Sequence, residues 1–245
     1  GSLYQFGADL DAYRNAAKST RPEYANSIEA GIKSEMLDRR LRVNLTGFYV
    51  KYKDLQRQVQ VPIVSNGEPG QISAFFNAAS SRVYGLEGEI AALPVDNLTL
   101  RAVFGYQNGK YKDYTPPVPG GYDLSKTPLD RTPKWQATFS GAYSIPVGSS
   151  HKVVLAGDVN YTGKNLYTQS IASEAANAYL DARTLVNASI TLSEKEDKYF
   201  VRLIGQNLTN TVYRTAAQDV TGLWRFALYG RPRFFALQGG LKFGN

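Results

Sequence analysis

Arg231-Pro232-Arg233-Phe234-Phe235-Ala236-Leu237-Gln238-Gly239-Gly240-Leu241-Lys242-Phe243 stops two residues before the end of the sequence, and its alternation decides the fold. Phe235, Leu237, Gly239, Leu241 and Phe243 fall on one side, apolar apart from one glycine. Phe234, Ala236, Gln238, Gly240 and Lys242 fall on the other, which is mixed and more polar. A period of two is the mark of a strand. One apolar and one wet face, ending on an aromatic, is the pattern of a strand in an outer-membrane barrel.

The same alternation recurs upstream. Ile28, Ala30, Ile32 and Met36 oppose Ser27, Glu29, Gly31, Lys33 and Glu35. Leu41, Val43, Leu45 and Tyr49 oppose Arg42, Asn44 and Thr46, and the pattern blurs past Gly47, where a bulge is expected. Tyr84, Leu86 and Ile90 oppose Gly85, Glu87 and Glu89, and Leu98 to Tyr106 follows the same rule. Further alternating runs cover Trp135–Tyr143, Val153–Tyr161, Val186–Leu192 and Tyr199–Leu203. That makes about nine long strands in an antiparallel up-and-down meander. Short connections centre near Arg39, Asp96, Gly148 and Glu196, and long ones near residues 66, 122, 174 and 221. Short turns on one rim and long loops on the other distinguish a membrane barrel from a soluble sandwich. Residues 1–25 have no sustained period and read as a loop or the remnant of a preceding segment, with the strands in 26–245.

Composition limits the function classes. No apolar run approaches the ~20 residues of a membrane-spanning helix, while 17 tyrosines and 22 glycines suit β structure with aromatic belts. The net charge of +7 is spread over many strands and does not form a nucleic-acid patch. Cysteine is absent, which excludes thiolate metal sites, and His151, the only histidine, sits beside a short turn, where no Ser-His-Asp arrangement is credible. His151 reads as a solvated turn residue. Neither enzymatic chemistry nor a cofactor is indicated.

Several motifs together resemble TonB-dependent outer-membrane receptors. Arg21-Pro22-Glu23 followed by Asn26-Ser27-Ile28-Glu29-Ala30-Gly31-Ile32-Lys33 is similar to one of that family's barrel strands. So are Asp38-Arg39-Arg40-Leu41 with Phe48–Gln56, and Asn77-Ala78-Ala79 with Tyr84-Gly85-Leu86-Glu87-Gly88-Glu89. Gln206-Asn207-Leu208-Thr209-Asn210 with Tyr213, and Gly230-Arg231-Pro232-Arg233 before the closing strand, complete the series. The resemblance implies the C-terminal part of a 22-stranded barrel, here open or incomplete, in the outer membrane of a Gram-negative bacterium. It implies energy-coupled uptake of a bulky small-molecule nutrient such as a siderophore, glycan or cobalamin. The implied partners are outer-membrane lipid and lipopolysaccharide, a plug domain with the remaining barrel strands, and the TonB complex reached through an N-terminal part. No plug domain is seen in this sequence, and the segment alone is not expected to transport. A passive porin-like channel and a soluble β-sandwich carbohydrate-binding module are the alternatives.

On this reading Glu29, Lys33, Glu35, Glu87, Glu89, Arg101, Asp158, Arg202 and Lys242 line the lumen. Tyr114, Tyr122, Trp224 and Arg225 lie in outer loops as candidate ligand contacts. Tyr106, Tyr143, Tyr161, Tyr199 and Phe243 belong to the membrane-interface aromatics.

Overall fold

The structure is a computed structural model and describes residues 20–65, 68–115, 123–169, 178–220 and 224–242. Its main body is one nine-stranded antiparallel sheet. In chain order the strands are β1 (Tyr24–Met36), β2 (Leu41–Ser65), β3 (Glu68–Ala92), β4 (Leu98–Tyr114), β5 (Trp135–Val147), β6 (His151–Thr162), β7 (Asn165–Thr168) and β8 (Ala178–Leu180). They continue as β9 (Arg183–Glu194), β10 (Tyr199–Gln206), β11 (Arg214–Val220), β12 (Trp224–Tyr229) and β13 (Phe234–Leu241). The sheet order is β1-β2-β3-β4-β5-β6-β9-β10-β13, so the main strands pair with their sequence neighbours. β7 with β8 and β11 with β12 form two separate hairpins in the long connections. This is the expected open meander. The outer sides of β1 and β13 carry no partner strand among the described residues.

The outer connections differ from the sequence expectation in three places. The region near residue 66, expected as a loop, is the end of a long hairpin, because β2 and β3 stay paired as far as Ser65↔Glu68. β4 runs on to Tyr114, into a stretch read as irregular. The last long connection contains β11 and β12. The bulge expected near Gly47 falls instead between Tyr52 and Gln56, where the register with β3 shifts and Asp54 has φ 54°.

All four short connections lie at one end of the sheet and carry left-handed residues: Asp38, Asn97, Gly148 and Asp197 have φ of 52°, 64°, 61° and 59°. Asn, Asp and Gly tolerate that region best. Two of these turns are tied to each other. Arg40 Nε donates to the Leu93 carbonyl at 2.9 Å, and its guanidinium meets Asp96 at 3.2 Å.

No second sheet covers either face among the described residues, so the large apolar side chains stay open: Leu237 is 76% and Ile28 74% exposed. Burial is confined to the far end. There Asp123–Lys134 runs along the edge of β4 and packs Leu124 and Leu129 against Leu55, Ala79, Tyr111 and Tyr114. A second small cluster of Leu166, Leu180, Ala216 and Ala217 is buried where β7 and β8 meet β11.

Glycine and phenylalanine face each other repeatedly across the ladder: Gly85↔Phe48, Gly88↔Phe104, Gly205↔Phe235 and Gly240↔Phe200. In each pair the ring lies where a Cβ would stand, 2.3 to 3.0 Å away. An aromatic ring laid over an opposed glycine restores packing that the glycine lacks.

Candidate functional site

Register assigns every main strand two faces. On one, Glu35, Arg42, Ala91, Arg101, Ser140, Asp158 and Asn187 stand in a single cross-strand row. Lys33, Asn44, Glu89, Val103, Thr138 and Asn160 form the adjacent row. Glu29 and Glu87 belong to the same face, as do Arg202 opposite Gln238 and, by parity beyond β13, Lys242. All nine sequence-selected charged residues therefore share one surface.

The charges there are partly paired. Glu89 holds Arg101 at 2.7 Å and Glu35 holds Arg42 at 2.6 Å. Arg202 Nε donates to Thr191 Oγ1 at 2.8 Å. Glu29 accepts from Ser27 at 3.1 Å. Glu87 and Lys33 have no hydrogen-bonding or ionic partner among the described residues, and both border an open concavity with Asn44, Glu89 and Gln136.

A hydrogen-bond chain crosses the strands beside these pairs, and sequence reasoning missed it. Thr138 Oγ1 donates to Asn160 Oδ1 at 2.8 Å, and Asn160 Nδ2 donates to Asp158. Asn187 Nδ2 donates to the same Asp158 oxygen at 2.7 Å, and Asn187 Oδ1 accepts from the Asn207 N–H at 3.0 Å. Asp158→Ala removes the shared acceptor and leaves two amides without it, so about 1–2 kcal/mol of stability should be lost. Glu89→Gln weakens only an exposed pair and should cost under about 1 kcal/mol. The midpoint of heat-modifiable gel mobility of the complete gene product checks both. Equal midpoints for the two variants would refute the ranking.

A cluster of hydrogen bonds gathers around Asn207, which lies just after β10, is 4% exposed and has φ 49°. Its Nδ2 donates to the carbonyls of Thr211 at 2.9 Å and Arg231 at 3.1 Å, and its Oδ1 accepts from the Thr211 N–H at 2.9 Å. Asn210 Oδ1 accepts from the Arg233 N–H at 3.0 Å. The Gly230 N–H donates to the Tyr213 carbonyl at 2.9 Å. Gly230 also leaves room for the Tyr213 ring, which would lie 2.0 Å from an added Cβ. The Asn-Leu-Thr-Asn…Tyr and Gly-Arg-Pro-Arg motifs are thus two halves of one clasp, which sets where β13 starts.

The loop candidates separate. Tyr114 is 3% exposed, its ring centroid is 4.7 Å from that of Tyr111, and its N–H bonds Ser125 Oγ at 2.9 Å. It anchors the loop and does not present its ring to a ligand. Arg57 stacks 5.1 Å from the Tyr111 ring and pairs with Asp130 at 3.3 Å. Burial pushes both phenols up, that of Tyr114 to about 12, so both remain protonated. Arg225 lines a second open concavity with Lys164, Tyr179, Asp181, Arg214 and Phe226. Lys164 lies 5.1 Å from the Tyr179 ring centroid and Arg214 meets Asp181 at 2.6 Å. These neighbours carried no sequence signal because hairpins β7–β8 and β11–β12 bring them together. Trp224 begins β12. Tyr122 and Phe243 lie outside the described residues.

The opposite face is uncharged over at least nine residues of each of the first six sheet strands. Outward positions run Ile28–Met36, Leu41–Tyr49, Tyr84–Ala92, Leu98–Tyr106, Trp135–Tyr143 and Val153–Tyr161 in the first six sheet strands. Each of these runs is nine residues long, with Ser34 and the glycines as its only breaks in apolar character, and the uncharged face continues to Tyr24 on β1 and to Val147 on β5. Tyr106 packs on Trp135 at 4.7 Å at the long-loop end of this band, and Tyr161 stands near it. Tyr143 and Tyr199 stand near the short-turn end. There His151, expected as a solvated turn residue, starts β6 and shares a 2.8 Å hydrogen bond with the Tyr199 hydroxyl.

A two-faced antiparallel wall of this kind is the wall of a membrane β-barrel. Residues 2–210 match the family model for the TonB dependent receptor-like β-barrel, and the chain belongs to that family. It is 24% identical over 231 residues to the metal-pseudopaline receptor CntO of Pseudomonas aeruginosa, covering 87% of this chain and 30% of that protein. Among solved structures, it resembles the ferric-catecholate import receptor Fiu of E. coli K12 with a TM-score of 0.67 and 20% identity, over 99% of this chain and 30% of that one. The ferric yersiniabactin uptake receptor FyuA of Yersinia pestis gives a TM-score of 0.70 at 15% identity, over 91% and 30% respectively. The chain therefore spans about 30% of the length of these relatives.

Proposed function

We propose that this chain forms part of the barrel wall of a Gram-negative outer-membrane receptor for energy-coupled uptake of a metal chelate. The observation that carries the proposal is the uncharged band of at least nine residues repeated on six consecutive strands. A tilted strand needs roughly 9–11 residues to cross the hydrocarbon core, and the aromatics near the two ends of the band mark its interfaces. On this assignment the charged face lines the lumen and meets a plug domain, and the remaining strands cover the open sides of β1 and β13. Backbone groups left unpaired in hydrocarbon cost several kcal/mol each, so the segment by itself is not transport-competent. Similarity to receptors for a metal-pseudopaline and for ferric chelates supports a metal chelate as the nutrient.

The test is uptake of radiolabelled ferric chelates by cells with and without the gene under iron limitation. The expected result is gene-dependent uptake of one chelate class that a protonophore abolishes. Uptake that persists with the protonophore would indicate a passive channel. A gene product that partitions into aqueous buffer without detergent would overturn the membrane assignment altogether.

A further inference from the structure

The Arg21-Pro22-Glu23 and Asn77-Ala78-Ala79 motifs, far apart in sequence, meet at the long-loop end of the wall. The β1–β2 ladder stops at Tyr24↔Lys53. Beyond it, the chain ahead of β1 is held by a side chain. The Arg21 N–H donates to Asn77 Oδ1 at 2.6 Å, and Asn77 Nδ2 donates to the Arg21 carbonyl at 2.8 Å. One amide thus meets both backbone groups of Arg21, as a partner strand would. Asn77 belongs to β3, so the contact spans β2, and Gln56 Nε2 on β2 donates to the same carbonyl at 2.9 Å. Glu23 accepts from the Gln56 N–H, and Asn77 Nδ2 also donates to the Asp54 carbonyl at 2.7 Å.

These bonds surround two bulges that cancel. From Tyr52↔Ser81 the ladder passes to Leu55↔Ala79, which uses one extra residue of β2, and then to Gln56↔Asn77, which uses one extra residue of β3. A single extra residue turns every later side chain of its strand to the other face. The pairs from Gln56↔Asn77 out to Ser65↔Glu68 therefore keep the register of the wall below, while both strands have exchanged faces. Packing shows the exchange. Tyr52 and Leu55, three positions apart, pack in one cluster with Tyr111, Tyr114, Leu124 and Leu129. Phe76 joins it from β3, and Arg57 stacks on Tyr111. Without the bulges the register would be the same, but Leu55, Arg57 and Phe76 would stand on the outward face. The outer ribbon thus has two facings compatible with one backbone register. We propose that Arg21–Glu23 and Asn77 form a lock that selects between them. With the Asn77 amide in place the bulges persist and Leu55, Arg57 and Phe76 meet the Tyr111 core. Without it the bulges are lost and the outer part of the β2–β3 ribbon turns over. The ion pair of Arg21 with Asp54, at 3.0 Å, is exposed and adds little.

The chain has no cysteine, so a single introduced one reports which way a position faces. The experiment follows labelling of Leu55→Cys and, separately, Ser81→Cys by a water-soluble maleimide. It uses the complete gene product, freed of other cysteines and purified in detergent, with and without Asn77→Ala. Leu55 is 9% and Ser81 2% exposed, so both positions should label slowly while Asn77 is present. With Asn77→Ala, Leu55→Cys should label at least about tenfold faster, as expected for a local rearrangement. Ser81→Cys lies below the bulges, faces inward in both arrangements, and should stay slow. Arg21→Ala keeps the backbone bonds and loses only an exposed ion pair, so it should change Leu55→Cys labelling by less than about twofold. An unchanged rate at Leu55→Cys overturns the lock. Fast labelling at both positions overturns the second facing, because the core has then opened and the ribbon has not turned. Heat-modifiable mobility reports whether each variant is a barrel. If Asn77→Ala yields none, hydrogen exchange of the unaltered protein decides the matter. The Arg21 and Gln56 amides should exchange as slowly as the ladder amides beside them, and fast exchange at either overturns the lock.

Discussion

Asn207→Ala should lower the stability of the barrel by about 3 kcal/mol or more. Three backbone groups depend on this one amide: the Thr211 and Arg231 carbonyls and the Thr211 N–H. Each buried group left without a partner costs about 1–3 kcal/mol, and alanine also tolerates φ 49° less well than asparagine. Asn207→Gly separates the two causes, because it keeps the backbone conformation and loses the bonds. Asn207→Asp keeps the acceptor but sets a carboxylate against two carbonyls, so it should be no better than alanine. The heat-modifiable midpoint of the complete gene product orders the variants. An alanine variant within about 1 kcal/mol of wild type would show that the clasp is redundant.

Substitution of either of two glycines on β3 should destabilise, but only one of them should be rescued by trimming the ring opposite it. At Gly85 an added Cβ meets the Tyr106 carbonyl oxygen at 2.1 Å, a backbone atom in the adjoining ladder. Gly85→Ala must push β3 away from β4, so the cost should reach or exceed about 3 kcal/mol, the upper end of overpacking. Trimming the opposed ring with Phe48→Ala does not relieve it. At Gly88 the nearest atoms belong to the Phe104 ring, at 2.3 and 2.4 Å. Gly88→Ala should cost about 1–3 kcal/mol, and Phe104→Ala in the same chain should recover part of that. Double-mutant cycles on the two pairs provide the check. Recovery by Phe48→Ala at Gly85 would mean that the ring, and not the carbonyl, sets the limit there.

The main sheet was legible because its faces differ so strongly. Period-two alternation located the nine strands, and parity alone placed Glu35, Arg101 and Asp158 on a common face, as the register shows. Alternation is lost where the sheet rises past the apolar band. In Tyr52–Ser65 apolar and polar residues mix, and the bulge at Lys53–Asp54 reverses parity, so the faces of β2 could not be assigned there from the sequence. Arg214–Val220 has two adjacent alanines in place of alternation, and it is a strand because Trp224–Tyr229 folds back on it. Tyr114 was expected as a ligand contact because an aromatic in a proline-rich loop carries no sign of its burial. The chain from Thr138 to Asn207 joins residues 69 positions apart and has no local signature. The clasp motifs were recognised as a resemblance, but their hydrogen bonds appear only when Asn207 and Arg231 are brought together.

The β2–β3 hairpin has a consequence for encounters at the cell surface. Its apolar part ends at Tyr49 and Tyr84, yet the paired backbone continues to Ser65 and Glu68. About fifteen residues at ~3.3 Å each extend this ribbon some 50 Å along the strand direction past the hydrocarbon boundary. On the proposed orientation, this ribbon is one of the parts of the wall that an antibody or phage approaching from the medium would meet. The ribbon is thus a natural place for a surface epitope, and changes near its tip should alter immune recognition while the membrane-crossing wall keeps its register.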